Sequence, residues 1–261
     1  MTNLLHLNVI GKGSPLILLH GWGWHSAIWS PLIPHLADKF QLFIPDLPGF
    51  GKSSILTEHY TFEAIIPYLF ERVPPTATWL GWSLGGLFAW WIAIHYPEKV
   101  SRLITVATSP KFVSEENWSG IPISTLEKFA IDLTSHCKTT LNDFLELQLR
   151  GSSNQETLLI ELQKQFTPPD ISALLGGLEL LRTTDLRADL RKVTIPSLHI
   201  FGNLDKIVPV SVVNNLQPLL LNGNCEVMQR TGHMPFLTQQ ERFLACLRNY
   251  CLEFPSPTHE Q

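Results

Sequence analysis

Short, nearly unbroken apolar runs alternate along the chain with longer stretches in which apolar residues recur every three or four positions. The runs are Leu4 to Ile10, Leu16 to Leu19, Gln41 to Pro45, Thr78 to Trp82, Leu103 to Ala107, Ser197 to Phe201 and Glu226 to Met228. Strands buried on both faces have this character, so the alternation predicts an α/β fold, with a mainly parallel central sheet flanked by helices. The rhythm breaks between Pro110 and about Leu190. There the period is helical at Ile123 to Thr134, Leu141 to Leu149, Thr157 to Phe166 and Ile171 to Leu181, separated by Gly, Ser and Pro turns. This predicts a core domain formed by 1–110 and 190–261 and a helical cap, or lid, inserted at 111–189. A last helix is expected from Leu237 to Tyr250, and Pro255 to Gln261 reads as a frayed tail.

Gly81-Trp82-Ser83-Leu84-Gly85 lies between the run Ala77 to Leu80 and a helical pattern that starts at Leu84. Strand, G-x-S-x-G, helix is the sequence form of a nucleophile elbow. The serine must take a strained backbone conformation there, and flanking glycines let neighbouring chain pass close without a Cβ clash. A serine is a poor nucleophile until a base removes its proton. Histidine titrates near neutrality, and a carboxylate can fix its tautomer and stabilise the imidazolium. In hydrolases with this elbow the partners follow in the order acid, then histidine. Asp205 sits in the turn after the Ser197 to Phe201 strand, and His233 in the loop between the Cys225 to Met228 strand and the last helix. The expected catalytic set is therefore Ser83, Asp205 and His233. Asp46, the rival acid, precedes the serine and reads as structural. The other nine histidines read as core or surface residues.

Acyl transfer also needs donors for the oxygen of a tetrahedral intermediate. Leu84 N–H opens the helix after the serine, where backbone N–H groups lack partners. Trp22 N–H lies in the turn His20-Gly21-Trp22-Gly23-Trp24 after an early strand, where a second donor is expected. Aromatic and leucine residues of the cap mostly serve packing, and Trp22, Trp82 and Phe144 are the expected substrate-binding walls.

Several segments carry a resemblance beyond this chemistry: Leu19-His20-Gly21-Trp22-Gly23, Asp46-Leu47-Pro48-Gly49-Phe50-Gly51-Lys52-Ser53, Leu80 to Gly86, Thr105-Val106-Ala107-Thr108-Ser109-Pro110 and Gly176-Gly177-Leu178-Glu179-Leu180-Leu181. Over almost its whole length the chain resembles the pimeloyl-acyl-carrier-protein methyl ester esterases of biotin synthesis, within the α/β-hydrolase superfamily. The resemblance implies an α/β-hydrolase fold and hydrolysis of the methyl ester of a pimeloyl chain on acyl carrier protein. The residues themselves leave open a broad short-chain carboxylesterase or thioesterase, or a small-molecule receptor of the same fold.

Composition narrows the setting. With 261 residues and 44% hydrophobic content the chain can build one large domain with an insertion. No run approaches the roughly 20 apolar residues that span a bilayer, so no membrane is expected. The amino-terminal residues lack the features of a secretory signal. Four cysteines without metal-like spacing point to a reduced, cytoplasmic protein with no metal and no cofactor. Net charge −4 and the lack of a basic stripe argue against nucleic acid. A monomer is expected. From Lys111 to Asp189 there are seven basic against twelve acidic residues. The resemblance implies a basic docking face for an acidic carrier protein, and here only Lys138, Arg150 and Lys164 can supply it.

Overall fold

The computed structural model describes residues 4–56, 59–152 and 154–253. Strands β1 (Leu7–Ile10), β2 (Ser14–Leu19), β3 (Phe40–Pro45), β4 (Ala77–Trp82), β5 (Val100–Val106), β6 (Ser197–Gly202) and β7 (Gly223–Met228) form a sheet in the order β1-β3-β2-β4-β5-β6-β7. Only β1 runs antiparallel, against β3; the other pairings are parallel. Period-two alternation splits the strands' apolar side chains between two cores, one on each face. Ile17, Leu19, Trp79, Leu103 and Phe201 belong to one, and Leu16, Leu18, Leu80, Ile104 and Ile200 to the other.

Helices cover both faces: α1 (Ile33–Leu36), α2 (Phe62–Phe70), α3 (Leu84–His95), α4 (Ile123–Ser135), α5 (Cys137–Leu149), α6 (Gln155–Gln165), α7 (Ile171–Thr183), α8 (Val212–Leu216), α9 (Pro235–Thr238) and α10 (Gln240–Glu253). From Leu84 to Ile94 every residue of α3 is buried, because the helix lies between the sheet and other elements. Helices α4 to α7 all fall between β5 and β6. The two ends of this excursion meet: Leu186 N–H donates to Pro110 O at 3.0 Å, and Lys111, Glu115, Asp185 and Arg187 form a cluster of ion pairs of 2.6–3.1 Å.

Several boundaries differ from expectation. Leu4 to His6 are not strand, because their carbonyls serve the loop after β3: Leu4 O accepts from Ser54 N–H and His6 O from Asp46 N–H, both at 3.0 Å. The last helical stretch begins at Pro235 and breaks at Gln239 before α10. Helix α5 begins at Cys137, one turn before the first apolar repeat. Helix α2 was not legible because Pro67 interrupts it. It forms because Thr61 Oγ1 caps Ala64 N–H and because Phe62, Ile65, Ile66 and Leu69 bury one face. The tail from Pro255 and the first three residues lie outside the described residues.

Candidate active site

At the carboxyl edge of the sheet, the loops after β2, β4, β6 and β7 carry His20 to Trp24, Ser83, Asp205 and His233. Ser83 joins β4 to α3 at φ 54° and ψ −116°. A non-glycine residue in that region costs on the order of 1–3 kcal/mol and persists only when its surroundings fix it. Here Ser83 N–H donates to Val106 O at 2.9 Å, and Ser83 O accepts from Gly86 N–H at 2.9 Å and from Thr108 Oγ1 at 3.2 Å. Gly81 and Gly85 make the turn feasible by close approach. A Cβ on Gly81 would overlap Gly85 O, and one on Gly85 would overlap Leu19 O and His20 O.

Asp205 divides its carboxylate between two tasks. Oδ1 accepts from Ile207 N–H at 2.8 Å and Val208 N–H at 3.0 Å, while Oδ2 accepts from His233 Nδ1 at 2.8 Å. A carboxylate only accepts, so Nδ1 carries a proton, and in the neutral tautomer this fixes, Nε2 is the nitrogen with the lone pair. His233 is 1% exposed, and Nε2 has no hydrogen-bond partner among the described residues. The contact between Ser83 Oγ and Nε2 is thus not formed; such bonds often tighten only when substrate is bound. The loop carrying His233 starts three strands away from β4, about 14 Å at the usual strand spacing. It leans back across β6, where Leu204 N–H donates to Thr231 O at 2.9 Å and a Cβ on Gly202 would overlap Gly232 O.

Ser83 faces a cavity of about 470 Å³ under α4, α5 and α7. Trp22 and Phe144 line it, their rings edge-on with centroids 5.2 Å apart, and Phe129 completes the cluster. Trp22 Nε1 donates to Leu174 O of α7 at 2.8 Å. The glycine pair noted in the sequence serves this packing: a Cβ on Gly177 would sit 2.9 Å from the Trp22 ring, and one on Gly176 would overlap Tyr60. Trp82, expected as a third wall, does not reach the cavity. It is 0% exposed, donates from Nε1 to His233 O at 2.9 Å and packs on Phe236, because it points to the face of β4 opposite Trp79. The cavity is graded. Phe129, Phe144 and Leu147 make it apolar toward Trp22, whereas Asp132, His136, Thr139 and Asp143 make it polar at the α4–α5 turn.

The remaining sequence candidates separate into supports. Asp46 accepts from Ser26 N–H at 2.7 Å and Lys52 N–H at 2.9 Å, tying two loops together. Burial opposes its charge, but nearby His20 and these donors outweigh that and lower its pKa. His20 accepts from Leu47 N–H at Nε2 and donates from Nδ1 to Gly21 O, both at 2.9 Å, and burial pushes its pKa down to about 4. His199, between Thr105 and Ser197, is pushed down to about 3 by the same cause. Sequence reasoning missed Gln148, a 1% exposed polar residue on α5. Its Oε1 accepts from Trp24 Nε1 at 3.0 Å and its O from His233 N–H at 3.2 Å. The signal was a glutamine on the buried stripe Leu145, Gln148, Leu149. Lys138, Arg150 and Lys164 are solvent-facing and unpaired among the described residues.

Residues 14–240 match the family model described as the alpha/beta hydrolase fold. The chain is 38% identical over 246 residues, 93% of its length and 96% of the other's, to the pimeloyl-acyl-carrier-protein methyl ester esterase of Vibrio vulnificus (strain CMCP6). It is 37% identical over 247 residues, again 93% and 96%, to the protein of the same description from Vibrio cholerae serotype O1. Among solved structures, an esterase from Exiguobacterium antarcticum superposes with a TM-score of 0.87 at 23% identity, covering 94% of each chain. No helix among the described residues is long and apolar enough to cross a membrane.

Proposed function

The chain belongs to the alpha/beta hydrolase fold family, and from that membership and the site's geometry we propose that it is a serine carboxylesterase that hydrolyses the methyl ester of pimeloyl-acyl carrier protein. The observation that carries this reading is Ser83, strained at the mouth of α3 and facing the cavity, at the same sheet edge as a histidine whose tautomer Asp205 fixes. His233 Nε2 takes the Ser83 proton as Oγ attacks the ester carbonyl. The N–H groups of Trp22 and Leu84 hold the oxyanion, methanol leaves with the proton from His233, and water then releases the acid by the same base.

Chain length fits the grading of the cavity. The carboxyl end of α5 touches His233 through Gln148, so distance along α5 measures distance from the ester. At 1.5 Å per residue, Asp143 and Thr140 lie roughly 7–12 Å up the helix, and an extended seven-carbon acyl chain spans roughly 8 Å. Its methylenes run past Leu147 and Phe144, and its distal carbonyl meets the polar end. Lys138, Arg150 and Lys164 are the surface charges available to an acidic carrier. The acid excess of the cap favours a second reading, an esterase for free short-chain esters. Methanol release from the carrier-bound ester, measured against a free p-nitrophenyl ester, separates the two: preference for the carrier-bound ester supports the first, and activity confined to the free ester overturns it. Ser83→Ala is expected to abolish turnover of both while the chain stays folded; undiminished turnover refutes the serine mechanism.

A further inference from the structure

The backbone of His233 is held on both sides. Its N–H donates to Gln148 O at 3.2 Å, and its C=O accepts from Trp82 Nε1 at 2.9 Å. With Nδ1 on Asp205, only Nε2 is left without a partner among the described residues. We propose that Trp82 is a positioning residue for the base, its indole N–H and the carbonyl at the end of α5 clamping His233 so that Nε2 faces Ser83. The inference rests on His233 acting as the base of a serine esterase.

Three features of Trp82 go beyond filling space. It precedes Ser83 directly, so the strand that sets the nucleophile also sets the indole. Its ring packs on the imidazole at 5.6 Å between centroids, tilted by 54°. It also lies flat on the turn that carries Trp22 N–H, since a Cβ on Gly21 would sit 2.8 Å from the ring. One residue therefore touches the base and the oxyanion turn with its side chain and adjoins the nucleophile through its backbone. The clamp answers a topological need. His233 arrives from β7, three strands away, on a loop that must lean back toward β4, and the indole N–H is the tether on the near side. The opposite tether comes from α5, whose Gln148 also holds Trp24 of the oxyanion turn. A Phe at position 82 would retain an aromatic ring against Phe236 but would give His233 O no donor.

The test compares the wild type with Trp82→Phe and with a chain carrying 3-benzothienylalanine at position 82, an indole isostere with sulfur in place of N–H. For each, kcat and KM are measured on a soluble methyl ester, with the rate and final stoichiometry of labelling by a p-nitrophenyl phosphonate. Stoichiometry counts folded sites; rate reports how well the base is aimed. The clamp requires about one label per chain, with labelling rate and kcat falling together by about 10- to 100-fold and KM changing by less than about twofold. If Trp82→Phe fails to fold, the isostere decides. Turnover per labelled site within about twofold of wild type in the isostere overturns the clamp, and so does a rise in KM alone. Labelling or turnover by Ser83→Ala would instead overturn the esterase reading beneath it.

Discussion

Replacing Asp205 by Asn tests the division of labour between its two oxygens. Oδ1 is fixed by two backbone N–H groups, from Ile207 and Val208 at 2.8 and 3.0 Å. An Asn keeps an oxygen there and must turn its NH2 toward His233. The flipped amide would set NH2 against both N–H donors, leaving two buried donors unpaired at about 1–3 kcal/mol each. In the favoured orientation Nδ2–H donates to His233 Nδ1, which forces the imidazole proton onto Nε2, where it blocks acceptance of the Ser83 proton. A wrong tautomer with intact geometry costs about 10⁴-fold in kcat, equivalent to about 5.5 kcal/mol of transition-state stabilisation. The native loop bonds at Oδ1 survive, so denaturant stability should change by no more than about 1–3 kcal/mol. The assay is methanol release from a methyl ester at saturating substrate, paired with a urea melt on the same preparation. A loss of less than about tenfold in a folded chain would refute the assignment of Asp205 as the residue that sets the tautomer of His233.

The buried histidines set the acid limit of the fold. Burial lowers His20 to about 4 and His199 to about 3 from 6.5, so the unfolded chain binds their protons first and stability falls as pH drops below 6.5. Between pH 7 and 5 each costs about 2 kcal/mol, and urea midpoints should show His199→Phe losing about half of the wild-type decline; equal slopes in both chains refute the account. At the elbow, Gly85→Ala sets a Cβ against the carbonyls of Leu19 and His20, which belong to the adjacent strand and turn and cannot yield. Thermal melts should show a loss of about 1–3 kcal/mol or more, and an unchanged melt would mean the elbow relaxes around a Cβ.

The placement of Ser83, Asp205 and His233 at one sheet edge was legible because each follows an apolar run, and a parallel sheet sets the residues after its strands at one edge. The direction of Trp82 was not. Every residue of β4 is buried, so the run carries no polar alternation to say which core each side chain enters. Gln148 was hidden because its role lies in a carbonyl and in a partner 124 positions away at Trp24. Charge counting also lost information. Lys111, Lys128, Arg182 and Arg187 are all taken up by acids of the same segment, so the bases left for a partner are Lys138, Arg150 and Lys164. Helix α2 illustrates a competing signal, since the buried face formed by Phe62, Ile65, Ile66 and Leu69 outweighs the proline within it.

The helices between β5 and β6 do more than roof the cavity. Gln148 O holds His233 N–H, Gln148 Oε1 holds Trp24 Nε1, and Leu174 O holds Trp22 Nε1. Lifting α5 and α7 as one body would strip a partner from the loop that carries His233 and from both tryptophans of the turn after β2. Opening hands these three donors to water, so at about 0.5–1.5 kcal/mol net for each hydrogen bond exchanged the open state would stand roughly 1.5–4.5 kcal/mol above the closed one, before the cost of exposing the Trp22, Phe129 and Phe144 cluster. The ion pairs joining Lys111 and Glu115 to Asp185 and Arg187 hold the two ends of the segment together as well. Entry at the polar end, by the α4–α5 turn, breaks none of these bonds. On the proposed esterase reading, an acyl chain threaded there would run along α5 toward Ser83 while Trp22, Trp24 and His233 keep their partners, so the proposed base and oxyanion donors would remain in place as the substrate arrives.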